Sequence, residues 1–340
     1  MSELLPDFAM TRPETVDQAV AAIVARPASR FMAGGTDLIV NMRRGLVETD
    51  NLIDLTGISE LHRLGTGDSG LSIGAGVTLR EICMNRDIRR DYGAIAQACD
   101  GIAGPGHRSA ATVGGNLCLD TRCIYYNQSH WWRKANNFCL KYKGDTCHVA
   151  PAGKRCRAAF CGDLAPALMV HGAEIDLAGP KGRRRMALAD LYQEDGENHL
   201  RLEPGEFIVA AHIPQTDAAR PVASAYAKVR IRGAIDFPLA GVAVACRKTA
   251  EGSIAVTTAL TGTNSRPFLI EGFDPVEPDQ DRAAAFAELE KLVQKQVSPQ
   301  RTTTTASHYR RLAVSALARR LATSVSMALE STSDARPSGQ

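Results

Sequence analysis

Close cysteine pairs are missing from this sequence. Nine cysteines are present and no two stand in a C-x-x-C pair, so the knuckles that hold paired ligands in most zinc folds are absent. An odd number of cysteines scattered over 340 residues also argues against a disulfide framework and leaves metal binding or buried thiols. Long apolar runs are missing too. No segment reaches the roughly 18 uninterrupted apolar residues of a membrane span, and the N-terminus, with Glu3 and Asp7, lacks the core of a signal peptide. Net charge is only +3, with no long run of Lys or Arg, which argues against a nucleic-acid tail. No glycine-rich turn ends in Gly-Lys-Ser/Thr, so a Walker phosphate site is excluded, and no internal repeat is visible. What remains is an ordinary globular composition, 44% hydrophobic and 23% charged, on a chain long enough for two domains. A cytoplasmic protein, with neither a membrane nor a nucleic acid among its partners, is expected.

Apolar residues at helical spacing (Val16, Ala19, Val20, Ile23, Val24) predict a helix over 13–25. A short apolar strand then enters Ala33, Gly34, Gly35, Thr36 and Asp37. Adjacent glycines let the backbone approach a ligand and point its amides outward, as phosphate-binding turns do. Strands follow at 52–54 and 71–74, and Thr78 with Glu81 has capping-box spacing at the start of a helix. Between those strands Gly65, Gly67 and Gly70 fit G-x-G-x-x-G, but an alternating strand follows where the dinucleotide motif needs a helix, so a hairpin is expected. A second glycine block, Thr112, Val113, Gly114, Gly115 and Asn116, changes the weight of the first. Two Gly-Gly turns are what a chain needs to grip a long dinucleotide such as FAD from two sides.

Directly after it comes the most unusual stretch. Cys123, Cys139, Cys147 and Cys156 are spaced C-x15-C-x7-C-x8-C, among both tryptophans of the chain, Trp131 and Trp132. Lys and Arg outnumber acids here, which suits either an acidic partner or an anionic centre. Four thiolates can serve one metal centre. An iron–sulfur cluster, a zinc ion and no metal all stay open on spacing alone, although wide single spacings fit a cluster better than zinc. Cys83, Cys99, Cys118, Cys161 and Cys246 read as buried apolar residues, and His130 and His148 as loop histidines.

Beyond the insert, Asp163 begins a helix containing Pro166, strands follow at 174–177 and 207–213, and a polar linker at 215–220 marks a boundary. Strands near 222–231, 239–247 and 253–262 form an antiparallel set, two helices close the chain at 281–296 and 305–322, and the tail is expected to be disordered.

Taken in order, Ala33-Gly34-Gly35-Thr36-Asp37-Leu38, Thr112-Val113-Gly114-Gly115-Asn116, Gly162-Asp163-Leu164-Ala165-Pro166-Ala167-Leu168, Leu202-Glu203-Pro204-Gly205-Glu206 and Asp236-Phe237-Pro238-Leu239-Ala240-Gly241-Val242 resemble the FAD-binding medium subunits of molybdenum hydroxylases and xanthine dehydrogenases. The cysteine insert resembles that of the β subunits of 4-hydroxybenzoyl-CoA reductases. The resemblance implies an α+β fold. A two-part FAD-binding domain of the molybdopterin dehydrogenase type (1–215, with the cysteine-rich insert at about 119–160) precedes a smaller domain (216–325) of a three-stranded antiparallel sheet with helices, and a disordered tail (326–340). It implies FAD on Ala33, Gly34, Gly35, Thr36, Asp37, Thr112, Val113, Gly114, Gly115, Asn116, Asp163 and Lys228, and a 4Fe-4S cluster on Cys123, Cys139, Cys147 and Cys156. The subfamily has a large molybdopterin subunit and a small 2Fe-2S subunit as partners, in a heterotrimer that doubles, with a ferredoxin-like electron donor. Its reaction, on the partner subunit, removes the phenolic hydroxyl of 4-hydroxybenzoyl-CoA to give benzoyl-CoA. Two other functions stay open: an FAD subunit of another molybdenum hydroxylase, acting on an aromatic or heteroaromatic substrate with a zinc-stiffened insert, and a non-catalytic nucleotide-binding module.

Overall fold

Residues 5–67, 70–215, 222–300 and 305–334 are described by the structure, a computed structural model. The chain opens with a small parallel sheet in the order β1-β3-β2, made of β1 (Ala9–Thr11), β2 (Arg30–Met32) and β3 (Asn51–Asp54). Parallel strands need crossovers, and α1 (Val16–Ala25) carries the chain from β1 across to β2, on the far side of β3. The helix starts later than Pro13 because Thr15 Oγ1 accepts the Gln18 amide at 3.1 Å and so fixes the N-cap. Its buried face, Val16, Ala19 and Ile23, packs with Ile53, Phe207 and Val209.

A five-stranded antiparallel sheet follows, ordered β4-β5-β8-β6-β7, from β4 (Leu64–Gly67), β5 (Gly70–Gly74), β6 (Glu174–Gly179), β7 (Gly182–Ala187) and β8 (Phe207–Pro214). The glycines from 65 to 70 belong to the β4-β5 pair, a hairpin and not a dinucleotide turn; its tip, Asp68 and Ser69, lies outside the described residues. Between β5 and β6 run α3 (Leu79–Met84), α4 (Arg86–Asp91), α5 (Gly93–Gly101), α6 (Pro105–Arg108), α7 (Val113–Leu117), α8 (His130–Ala135) and α9 (Leu164–Met169). Thr78 and Glu81 form the expected capping box, with both reciprocal bonds made.

The last sheet is antiparallel, β12-β11-β10-β9, from β9 (Val222–Val229), β10 (Ala240–Lys248), β11 (Ile254–Thr261) and β12 (Phe268–Leu269). It has four strands where three are expected from sequence: β12 is two residues long, too short to show an alternating pattern, and pairs Phe268 with Leu260. Strand β10 reads as an unbroken apolar run because both faces are covered. Ala243 and Ala245 join the main core with α3, α5 and α9, while Val242, Val244 and Cys246 meet α10 (Arg282–Gln296) and α11 (Ser307–Asp334).

Helix α11 continues through 326–334, part of the stretch expected to be disordered; 335–340 lie outside the described residues. Val325 and Leu329 extend the buried stripe begun by Ala318 and Ala322, and that burial outweighs the polar composition of the tail. By length and composition this helix alone, among the described residues, is able to cross a membrane; here its apolar face lies on the sheet and α10. The expected boundary at 215–220 falls almost wholly outside the described residues.

Candidate functional site

Strand β2 delivers Ala33 to Asp37 into α2 (Leu38–Arg43). A Cβ added at Gly34 would stand 1.8 Å from the carbonyl oxygen of Ala110, and Gly35 has a φ of +67°. The first glycine is therefore demanded by backbone contact and the second by its conformation. The amides of Gly34, Gly35, Thr36 and Asp37 make no backbone hydrogen bond among the described residues. Beside them two buried polar atoms lack partners, Asn41 Oδ1 and Arg122 Nε. Buried polar groups without partners are uncommon in proteins. Free amides beside an unsatisfied guanidinium nitrogen fit the diphosphate of FAD.

The second glycine block follows directly on Ala110 and Ala111, the residues that Gly34 lies against. Thr112 Oγ1 accepts the Gly115 amide at 3.1 Å, and Gly114 lies so close to Ala75 that a Cβ would meet the alanine methyl at 2.8 Å. Asn116 Oδ1 accepts the Leu164 amide at 3.2 Å and so joins the block to the start of α9. Asp163, at the N-cap position of that helix, does not cap it. It is 3% exposed; Lys228 Nζ stands 2.9 Å from its Oδ1, and the Tyr226 hydroxyl donates to the same oxygen at 2.5 Å. Burial raises its pKa, and the Lys228 charge and then the tyrosine bond oppose the rise. Two residues expected at the flavin thus form one buried ion pair. Asp37 has its own partner, the Arg122 guanidinium, which also lies 4.7 Å from the centre of the Phe237 ring.

Arg122 is also the root of the insert. Its backbone exchanges two hydrogen bonds with Ala159, at 2.7 and 2.8 Å, which pinch residues 123–158 off as a loop. Inside it Cys123, Cys139, Cys147 and Cys156 line a single small cavity with Tyr125, Tyr126, Lys141 and His148. All four are free thiols. Burial pushes Cys123 up to about 11 and Cys156 up to about 12 and also raises Cys139, while the Lys141 charge pulls the last two down. Around Cys139 three non-glycine residues, Asn137, Phe138 and Lys143, have φ between +55° and +57°, a conformation that persists only where surroundings impose it.

No three His, Cys, Asp or Glu side chains among the described residues close on one ion. A tetrahedral zinc with bonds of about 2.3 Å needs its sulfurs about 3.8 Å apart. A cube of four irons takes one thiolate at each corner and so needs them farther apart around a shared space. Four thiols about one cavity match either centre in the number and kind of their ligands.

Lys141 is one of the basic residues of the insert, for which the sequence leaves either an acidic partner or an anionic centre open. It turns inward: its ammonium meets Asp120 at 2.6 Å and lies 4.5 Å from the Tyr126 ring centre. Lys143 is held by Glu48 at 3.0 Å. Lys141 is therefore not free for a partner, whereas Lys143 and Glu48 form an exposed pair. His130 is exposed, and His148 is bound to the Phe138 carbonyl at 2.5 Å, with its ring against Tyr125. Cys83, Cys99, Cys161 and Cys246 are buried as expected, and Cys118 is partly buried against the main core. Tyr226, Arg122, Arg133 and the Asp120–Lys141 pair escaped sequence reasoning. Their partners are distant in the chain, and only the basic bias of the insert hinted at them.

Residues 6–216 match the family described as the FAD binding domain in molybdopterin dehydrogenase. The chain is 31% identical, over 78% of its length and 85% of the relative, to the aldehyde oxidoreductase FAD-binding subunit PaoB of Escherichia coli strain K12. It is 26% identical, over 83% and 85%, to the carbon monoxide dehydrogenase medium chain of Afipia carboxidovorans. Among solved structures, CO dehydrogenase from Oligotropha carboxidovorans superposes with a TM-score of 0.75 at 22% identity, covering 95% of this chain and 98% of that one. Quinoline 2-oxidoreductase from Pseudomonas putida 86 does so with a TM-score of 0.75 at 18% identity, over 96% and 99%.

Proposed function

The chain belongs to the FAD-binding family of the molybdopterin dehydrogenases, and from this premise we propose that it is an electron-relay subunit carrying FAD and, in its insert, a 4Fe-4S cluster. Membership makes it the FAD-binding subunit of an oxidoreductase of the molybdenum hydroxylase family. The observation that carries the rest is the convergence of Cys123, Cys139, Cys147 and Cys156 on one cavity, at the root of which Arg122 pairs with Asp37 of the first glycine block. FAD exchanges electrons singly or in pairs and a 4Fe-4S cluster singly, so the two together join one-electron to two-electron chemistry.

The chain's own residues supply the setting. Four thiols provide the ligands, and the buried Lys141 offsets anionic charge in the cavity. Tyr125 and Tyr126 wall the cavity against water, which tunes a centre's potential. The free amides of Gly34 to Asp37 take the FAD diphosphate with Arg122 beside them. Thr112 to Asn116 follow directly on the residues that Gly34 lies against, and Asp163 and Lys228 act together as a neutralised pair.

The partners in this reading are a large molybdopterin subunit and a small 2Fe-2S subunit in a doubled heterotrimer, with a ferredoxin-like donor. The reaction served is the reductive dehydroxylation of 4-hydroxybenzoyl-CoA on the molybdenum subunit. Its support is the form of the cysteine insert. A second reading has its own support: the relative at 31% identity is an aldehyde oxidoreductase subunit, so electrons from an aldehyde would leave the complex through this chain. Assay of the anaerobically purified complex with both substrate classes separates them. Benzoyl-CoA formed with reduced ferredoxin supports the first reading; aldehyde oxidation without it replaces the first by the second. Loss of the iron–sulfur absorbance in Cys147→Ser tests the relay itself, and an unchanged spectrum would refute it.

A further inference from the structure

Helix α2 is six residues long, and helices shorter than about 12 residues are marginal alone. It nevertheless carries the first glycine block, and what holds it is the insert. Arg133, on α8, is 1% exposed. Through Nη2 it donates to the carbonyls of Arg44 at 3.0 Å and Gly45 at 3.1 Å, just past the end of α2. Through Nε it donates to Gln128 at 3.3 Å, and the Tyr142 ring centre lies 4.5 Å from the guanidinium. No carboxylate pairs with Arg133 among the described residues and its Nη1 is buried without a partner, so the carbonyls and the aromatic face compensate the buried cation only in part. Leu46 packs with Tyr126 and Cys139. Glu48 accepts from the Tyr142 hydroxyl at 2.9 Å and from Lys143 at 3.0 Å. At the near end of α2, Arg122 pairs with Asp37.

The insert has little of its own to stand on. Its apolar cluster holds three buried side chains, Leu46, Tyr126 and Cys139, and Leu46 comes from the gripped segment. A loop of this kind is ordered by ligands closing on a common centre.

We infer that the insert is a clamp on α2, so that filling of the four-cysteine cavity and FAD binding strengthen each other, with Arg133 as the positioning residue. This rests on the reading of the cavity as a cluster site. Linkage makes the effect reciprocal: whatever factor the filled cavity adds to FAD affinity, FAD adds to retention of the cluster.

The test measures FAD dissociation by flavin fluorescence on the full chain, once reconstituted with iron and sulfide and once stripped under anaerobic chelation, in wild type and Arg133→Met. Stripping should weaken FAD binding by about fivefold or more, the lower end of ordinary coupling. Arg133→Met should weaken it comparably in the filled protein and abolish most of the difference between filled and stripped forms. Tyr142→Phe, which keeps the ring under Arg133 but removes the hydroxyl's bond to Glu48 and leaves the Lys143 pair in place, should give a smaller loss in the same direction and guards against misfolding of the first variant. FAD affinity unchanged within twofold across these forms overturns the clamp. If the wild type takes up no iron, the cluster reading fails, and the two variants still decide whether the insert holds the FAD loop.

Discussion

Replacing Lys228 with methionine strands Asp163. The carboxyl group is 3% exposed and has an ammonium at 2.9 Å and a tyrosine hydroxyl at 2.5 Å. Removing one partner of a buried pair leaves an uncompensated charge, which costs about 3–5 kcal/mol. With a urea slope of about 3 kcal/mol per M, at the upper end for small proteins, the midpoint at pH 8 should fall by about 1 M or more. The pH dependence has a definite sign. Burial already raises the folded pKa of Asp163 above 3.8, so the folded state binds more protons than the unfolded one in the window above that value. Stability from this group is full below the unfolded pKa and declines as pH rises through the folded one. Loss of Lys228 moves the folded pKa higher and widens the window upward, so the deficit of Lys228→Met against wild type should shrink between pH 8 and pH 5. Adding Asp163→Asn should restore most of the loss, because a neutral amide keeps the Tyr226 hydrogen bond without a stranded charge. Urea unfolding followed by circular dichroism reads all of this. A deficit equal at both pH values, or a double variant as unstable as the single, would refute the assignment of Asp163 and Lys228 as a buried charge pair.

Gly34→Ala drives a methyl group to 1.8 Å from the Ala110 oxygen; it should cost about 1–3 kcal/mol or more and strip FAD from the purified chain, read by flavin absorbance. Leu329→Ala, in the part of α11 expected to be disordered but wholly buried, should cost about 2–5 kcal/mol in thermal or urea unfolding. An effect near zero would mean that this turn does not pack. Lys141→Gln removes a positive charge from a cavity that becomes more negative on reduction, so a redox titration should find the centre's potential lowered. A tenfold change in the reduction equilibrium would appear as about 59 mV, and an unshifted potential would remove Lys141 from that role.

The helices and strands whose cause is local were legible from the sequence. Thr78 and Glu81 cap α3 because both partners lie within one turn, and the alternation of Phe207, Val209, Ala211 and Ile213 marks β8 because all four are buried, although Ile208 between them is buried too. Gly34 and Gly35 announced a tight turn, but the reason for Gly34 is a backbone from 76 residues away in sequence, at Ala110. The four cysteines could be listed together but not brought together by spacing alone; the neck between Arg122 and Ala159 does that. The basic residues of the insert were visible, yet their direction was not. Lys141 points inward because Asp120 waits there, and Arg133 is buried because α2 ends beside it. Asp163 read as a helix cap since its partners, Tyr226 and Lys228, lie on a strand of the last sheet. Strand β12 and the end of α11 were missed because packing, and not local pattern, makes them.

The central claim is that the insert holds an iron–sulfur centre beside the FAD site, and the most direct measurement is FAD, iron, zinc and acid-labile sulfide per chain in anaerobically purified protein. The account predicts one FAD with about four irons and about four sulfides, and loss of the iron and sulfide in Cys156→Ser. Full FAD occupancy with zinc in place of iron, or with no metal and no sulfide, would contradict it.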